Sequence, residues 1–246
     1  SWNVGLVWNP LDDLSIALDW FDIELEDEIG LSSMQGLLDQ EFALRQAGVE
    51  PVPFVSSAGG GVRGERVGQV VRNPGSQQIV TVLRPNSNFA KRETDGLDIE
   101  TTYAFGLGAV GDFRATAQWT YVYEYERDED DGNGLRDPQF FDPEHRGTIG
   151  LNWALGDFGA NVLFNYIGSS SIEDAQGLKT NDLDDYQTWD MSASYATPWN
   201  GTVTIGARNI FDEDPPTSVN IGSPFYTNQL HDVYGRVPYV RYEQDL

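Results

Sequence analysis

The stretch Phe113-Arg114-Ala115-Thr116-Ala117-Gln118-Trp119-Thr120-Tyr121-Val122-Tyr123-Glu124-Tyr125 decides the fold. Its odd positions are apolar or aromatic, and its even positions, Val122 apart, are polar or charged. Successive side chains of a strand point to opposite faces, so this is a strand with one apolar, ring-tipped face and one mostly polar face. The alternation returns over residues 2–8, 14–20, 97–105, 149–155, 158–166, 189–195 and 203–207, and a last strand runs to Leu246. Repeated in this way, the pattern predicts an all-β protein: an antiparallel transmembrane β-barrel with its apolar side in lipid and its polar side around a wet or plugged interior.

Composition narrows the partners. The chain of 246 residues carries 39 acidic and 15 basic residues, a formal charge of −24. Such a balance disfavours nucleic acid and an anionic cytoplasmic leaflet. It is compatible with an outer leaflet bridged by divalent cations, and equally with a merely soluble surface. Aromatic residues make up 12% of the chain at regular spacing, which disordered segments lack. No run approaches the roughly 20 apolar residues of a membrane helix, and no signal-peptide pattern opens the sequence, so strands must make any membrane crossing. Without cysteine there is neither a disulfide scaffold nor a thiolate metal site.

Nine strands emerge, joined alternately by short turns and long loops. The turns fall at residues 9–13, 106–112, 156–157 and 198–201; the loops span about 28–77, 126–143, 168–184 and 208–231. In the first loop, Ser32 and Gln35 form a capping-box pattern for a helix over Met34, Leu37, Leu38, Phe42 and Arg45 that Gly48 would end. Residues 79–105 read as one extended stretch. Beyond Trp20 the apolar parity switches to Phe21, Ile23 and Leu25, which predicts a bulge near Trp20 or a strand continuing past the lipid. Transmembrane barrels have short periplasmic turns, long extracellular loops and two aromatic girdles. Here Trp8, Phe113, Trp153, Phe158, Tyr195 and Trp199 gather at the short-turn end, and Tyr121, Tyr123, Tyr166 and Trp189 toward the loops. Nine strands would leave unpaired edges in lipid, so the chain is expected to be part of a larger barrel.

Several segments resemble the C-terminal barrel portion of TonB-dependent outer-membrane receptors. Asn209-Ile210-Phe211-Asp212-Glu213-Asp214-Pro215-Pro216 is similar to that family's asparagine-leucine-phenylalanine-aspartate and double-proline signature, followed by Tyr234-Gly235-Arg236 before the last strand. Trp8-Asn9-Pro10 with Leu14-Ser15 and Asp19-Trp20-Phe21-Asp22-Ile23 resembles a characteristic hairpin. Thr94-Asp95-Gly96-Leu97-Asp98-Ile99-Glu100 is similar to the glycine-valine-glutamate-leucine strand. The resemblance covers essentially residues 1–246. It implies the last nine of about 22 strands, a plug and earlier strands outside this chain, and energy coupling through the TonB complex in a Gram-negative outer membrane. The implied partners are outer-membrane lipid and lipopolysaccharide, the remaining barrel and plug, and a small-molecule ligand. No cofactor is implied. Family members commonly end on phenylalanine, whereas this chain ends Tyr242-Glu243-Gln244-Asp245-Leu246, with Gln244 interrupting the apolar parity.

Inward parity places Arg114, Glu124, Arg146, Asn152, Asn161, Asn165, Asp190 and Arg208 in the lumen. They serve there as hydrated lining, as plug contacts or along a substrate route; an arginine facing lipid at mid-depth would cost roughly 2–4 kcal/mol. Phe140, Phe141, Phe225 and Tyr226 are candidate ligand-stacking rings in outer loops, or loop packing. Residues 128–134 read as a solvated acidic loop; the alternative is a divalent ion at Asp128, Asp130 and Asp131, against which glycine is out of place for a calcium loop. His145 and His231 lack a second ligand at metal spacing. No nucleophile elbow or carboxylate pair is singled out, so no enzyme is expected. The rival to an outer-membrane receptor is a soluble extracellular all-β carbohydrate-binding module, which should fold without detergent.

Overall fold

A computed structural model describes residues 1–31, 34–48, 69–83, 86–128, 135–136, 143–173, 179–218, 225–228 and 230–244. In chain order the strands are β1 (Trp2–Leu11), β2 (Leu14–Leu31), β3 (Gln69–Arg72), β4 (Ile79–Leu83), β5 (Asn86–Gly106), β6 (Asp112–Asp128), β7 (Leu135–Arg136), β8 (His145–Leu155), β9 (Phe158–Ile167), β10 (Ser170–Glu173), β11 (Lys179–Leu183), β12 (Tyr186–Thr197), β13 (Gly201–Arg208) and β14 (Val237–Gln244), with helix α1 (Met34–Gln46) after β2. The main sheet runs β1-β2-β5-β6-β8-β9-β12-β13-β14, with β7 beside β6. It is open, with β1 and β14 at its edges. The nine strands read from alternation are the nine of this path.

The chain divides into two compact units. One comprises Trp2–Asp22, Asp95–Tyr123 and Gln139–Leu246; the other comprises Ser1, Ile23–Thr94 and Glu124–Pro138.

In the first unit, register sorts the side chains into two faces. Ala115, Leu151, Val162, Met191, Ala207 and Pro238 lie in one row across six strands, and the neighbouring row on the other face is Arg114, Asn152, Asn161, Ser192, Gly206 and Tyr239. The apolar face is uncovered: Leu6 is 59% exposed, Leu151 41%, Ile205 56% and Val240 76%. Across the whole chain the only buried hydrophobic residues among those described are Leu37, Val70, Leu183 and Tyr186. A soluble sandwich buries its alternating aliphatic face under a second sheet, and a soluble monomer rarely exposes an apolar patch above a few hundred Å². This face suits acyl chains.

Rings cluster at both ends of that face. Phe105 and Phe113 stack at 5.3 Å, Phe158 meets Tyr195 at 5.2 Å, and the Trp153 indole donates to the Val110 carbonyl at the short-turn end. Toward the loops, Trp119 stacks on Tyr166 at 5.3 Å and Phe164 meets Trp189 at 4.7 Å. Gly147 is paired between Trp119 and Tyr166, and a Cβ there would strike the Trp119 ring, so glycine lets the indole lie across the strand. His145 belongs to this band: its ring stacks on Tyr121 at 4.3 Å and its Nδ1 accepts the Trp119 indole N–H.

The short turns follow their chemistry. Gly156 and Asn200 take positive φ of 57° and 58°, as tight turns demand of glycine and asparagine. At the second of these, Gln244 donates its amide to the carbonyls of Trp199 and Asn200, each at 3.0 Å, while the Trp199 indole donates to the Tyr242 hydroxyl at 3.0 Å. The glutamine that interrupts the parity of β14 thus fastens the strand to the β12–β13 turn.

Two expectations need correction, and one open alternative is decided. Residues 79–105 are not one strand: β4 folds onto β3 as a separate hairpin and β5 begins at Asn86. The cause lies in the Asn73 side chain, which accepts from the N–H groups of Gly75 and Ser76 and turns the chain. Of the two alternatives for the parity switch beyond Trp20, the continuing strand is the one seen: β1 and β2 pair without a shift from Trp2↔Asp22 to Trp8↔Ile16, and β2 runs on to Leu31, with Asp27 at φ 60°. The expected loops at 126–143 and 168–184 hold β7 and the β10–β11 hairpin.

In the second unit, α1 forms where its apolar spacing predicts, and Gly48 at φ 72° donates to Arg45 to close it. Ser32 lies outside the described residues. Glu41 is buried and bound on both oxygens: Arg72 donates through Nε at 2.8 Å and Nη2 at 2.7 Å, and Arg45 adds a bond at 2.8 Å. The Arg72 guanidinium, then burial in opposition, then Arg45 set the Glu41 carboxyl, whose pKa lies below the ordinary 4.5. A depressed acid contributes stability above its unfolded pKa and loses it as pH falls through the folded value. Amide exchange over residues 41–47 should therefore accelerate as pH drops below about 4.5, after correction for intrinsic rates. An unchanged protection factor down to pH 3 would contradict the clasp.

Candidate functional site

The polar face of the first unit encloses a cavity of about 860 Å³, within the range of small-molecule sites. Its wall is built by strand parity. Asp98 and Glu100 come from β5, Gln118 and Thr120 from β6, Arg146 and Thr148 from β8, Asn165 from β9, Thr188 and Asp190 from β12, and Arg208 from β13. Asp19, Leu230, Asp232 and Tyr234 complete its charged and upper parts.

Most of these carboxylates are already engaged. Thr120 donates to Asp98 at 2.6 Å, Gln118 to Glu100 at 3.5 Å, and the Tyr234 N–H to Asp232 at 3.0 Å. Asp190 accepts the Asn209 N–H at 2.8 Å and the Asn165 amide at 3.5 Å. The Arg146 and Arg208 guanidinium groups, in contrast, make no hydrogen bond or ion pair with any described residue.

One side of the cavity is held by a knot after β13. Asn209 is buried at a positive φ of 47°, and its amide binds Glu213 twice, donating to the carbonyl at 2.8 Å and accepting the N–H at 2.9 Å. Asp212 accepts the Arg236 N–H at 2.6 Å, and its carboxylate occupies the space a Cβ on Gly235 would need. The asparagine-to-proline signature is thus a self-bonded turn, and the later glycine-arginine pair is its receptor. Tyr186, buried, reaches the carbonyls of Asp232 at 3.3 Å and Glu213 at 3.4 Å, with His231 edge-on at 5.3 Å. His231 Nδ1 lies 3.2 Å from the Thr227 carbonyl. Burial above all, with help from Arg146 and against the Thr227 hydrogen bond, pushes the His231 imidazole below its ordinary value.

Of the sequence candidates, Arg146, Asn165, Asp190 and Arg208 meet at this cavity. Asn152 and Asn161 are register partners, joined at 2.9 Å. Arg114 shares their row but does not line the cavity. Glu124 belongs to the other unit and is exposed on β6. Phe225 is exposed at φ 70° and Tyr226 half-buried, neither lining the cavity. Phe140, Phe141, Asp130 and Asp131 lie outside the described residues, as does the Asp128 side chain. Asp98 and Glu100 stand on the polar parity of β5, where sequence can find them. Tyr186 likewise shares the inward parity of Thr188 and Asp190 on β12, whereas Asp232 carries no such signal, because it reaches the site from outside the strands.

The TonB dependent receptor-like, beta-barrel family matches residues 1–210. No match was found among curated protein sequences. Among solved structures, the FrpB iron transporter from Neisseria meningitidis is similar at 13% identity and TM-score 0.58, over 98% of this chain and 30% of that one. The siderophore receptor PirA from Acinetobacter baumannii gives 16% identity and TM-score 0.61, over 98% and 31%. A ferric enterobactin receptor from Pseudomonas aeruginosa in complex with enterobactin gives 17% and 0.59, over 98% and 30%. The chain thus spans under a third of the length of each of these structures, and the likeness is one of fold.

Proposed function

The chain belongs to the TonB-dependent receptor β-barrel family, whose place is the outer membrane, and from that premise we propose that it forms the C-terminal nine strands of an energy-coupled importer's wall. The plug and the remaining strands lie on further sequence, and the TonB complex drives them. The cargo is a scarce ligand: a siderophore, vitamin, saccharide or peptide. The chain supplies wall, extracellular loops and one side of the ligand vestibule, while motion and energy coupling belong to the plug.

The observation that carries this reading is the two-faced sheet, with exposed aliphatic residues between two bands of rings on one side and a hydrogen-bonded polar cavity on the other. Acyl chains solvate the first face and cannot solvate the second. The open edges at β1 and β14 support continuation into further strands. Expression of the full-length parent should place it in the outer-membrane fraction, and uptake by intact cells should stop when the inner-membrane proton gradient is dissipated. Recovery of the parent as a detergent-free soluble protein would overturn the proposal in favour of a carbohydrate-binding module.

A further inference from the structure

Arg146 and Arg208 are the anomaly of the cavity. Both stand on strands of its wall, with carboxylates of Asp19, Asp98, Glu100, Asp190 and Asp232 lining the same space. Neither arginine takes one of them. Asp190, one strand away from Arg208, spends its oxygens on Asn209 and Asn165 instead, and Asp98 and Glu100 are served by Thr120 and Gln118. Folded wall surfaces with both signs at hand ordinarily pair them, and a guanidinium offers five donors in a fork that fits planar oxyanions.

We propose that Arg146 and Arg208 are the recognition groups for an anionic ligand, one bearing carboxylate or phosphate oxygens, in the cavity of the importer proposed above. The inference rests on that reading, since it takes the cavity as ligand vestibule. The surrounding carboxylates serve selectivity. An oxyanion placed beside Asp98 or Glu100 meets like charge, so the arginine side is the position the field allows. Asn165, on the intervening β9, is committed to Thr188 and Asp190, which leaves the two guanidinium groups as the donors that face an oxyanion. Attraction between exposed ions weakens as salt rises, so affinity should fall with ionic strength.

The test titrates the full-length receptor in detergent micelles with citrate and, separately, inorganic phosphate, by calorimetry at low and at physiological salt. Saturable binding of at least one anion is expected. R146Q and R208Q should each weaken it about tenfold and the double variant more than either, whereas R114Q, on the same face but outside the cavity, should match the parent. Absence of binding by the parent, or equal weakening by R114Q, would overturn the proposal. So would binding by the double variant at parental affinity. Outer-membrane fractionation of the same proteins is read in parallel. A receptor that fractionates correctly but binds no anion refutes only this inference, and one found in the soluble fraction refutes the importer reading itself.

Discussion

Replacing Leu151 by arginine will lower the unfolding free energy of the full-length receptor in phospholipid vesicles by about 2–4 kcal/mol. Leu151 stands in the middle of β8, flanked in register by Ala115 and Val162, and is 41% exposed. In water a half-exposed leucine on a sheet surface accepts a charge within about 0.5 kcal/mol. In a bilayer the guanidinium must snorkel or draw in water and headgroups, and that cost is the expected loss. Thr116→Arg, next along β6 from Leu151's partner but on the polar face, is the comparison and should stay near neutral. Reversible denaturant unfolding into vesicles, followed by tryptophan fluorescence, measures both. Equal small effects at the two positions would mean that water bathes both faces, and the membrane assignment would fail.

The strands of the sheet were legible because a half-solvated strand writes its two environments into alternate letters. Residues 113–125 do so almost without exception, and β8, β9 and β12 nearly as well. The β3–β4 hairpin was not, since Val70, Val71, Val80 and Val82 satisfy no solvent alternation and the decisive event is an asparagine side chain folding back on its own turn. The site divides on the same line. Arg146, Asn165, Asp190 and Arg208 were found by parity, because a strand wall presents whatever its inward positions carry. Which of them would find no hydrogen-bond or ion-pair partner among the described residues was not, for that depends on Asn209 presenting its backbone N–H to Asp190 through a turn whose bonds are all tertiary or local to residues 209–213. Gln244 makes the same point at the other end of the sheet. Its parity marks it as a misfit, and only the carbonyls of Trp199 and Asn200 explain it.

Asn209→Ala should destabilise the receptor by about 2–3 kcal/mol, the sum of two lost buried hydrogen bonds at about 0.5–1.5 kcal/mol each and the cost of a left-handed backbone without a side chain to support it. Both bonds go to Glu213, and the residue sits at φ 47°. Asn209→Gly separates the two causes. It loses the same bonds but tolerates the positive φ, so it should fall between parent and alanine variant by about 1 kcal/mol. The consequence extends beyond the turn, because Asp212 is placed by the turn and accepts the Arg236 N–H. Amide protection at Arg236 should therefore drop in both variants, although residue 236 is untouched. The Asp190 carboxylate, no longer held by a fixed Asn209 N–H, becomes free to pair with Arg208. If the arginines are kept unpaired for an anion, citrate affinity should decline with this second shift even at temperatures where the variants remain folded. An alanine variant with parental stability and parental Arg236 protection would show that the signature turn is held by its neighbours and not by its asparagine.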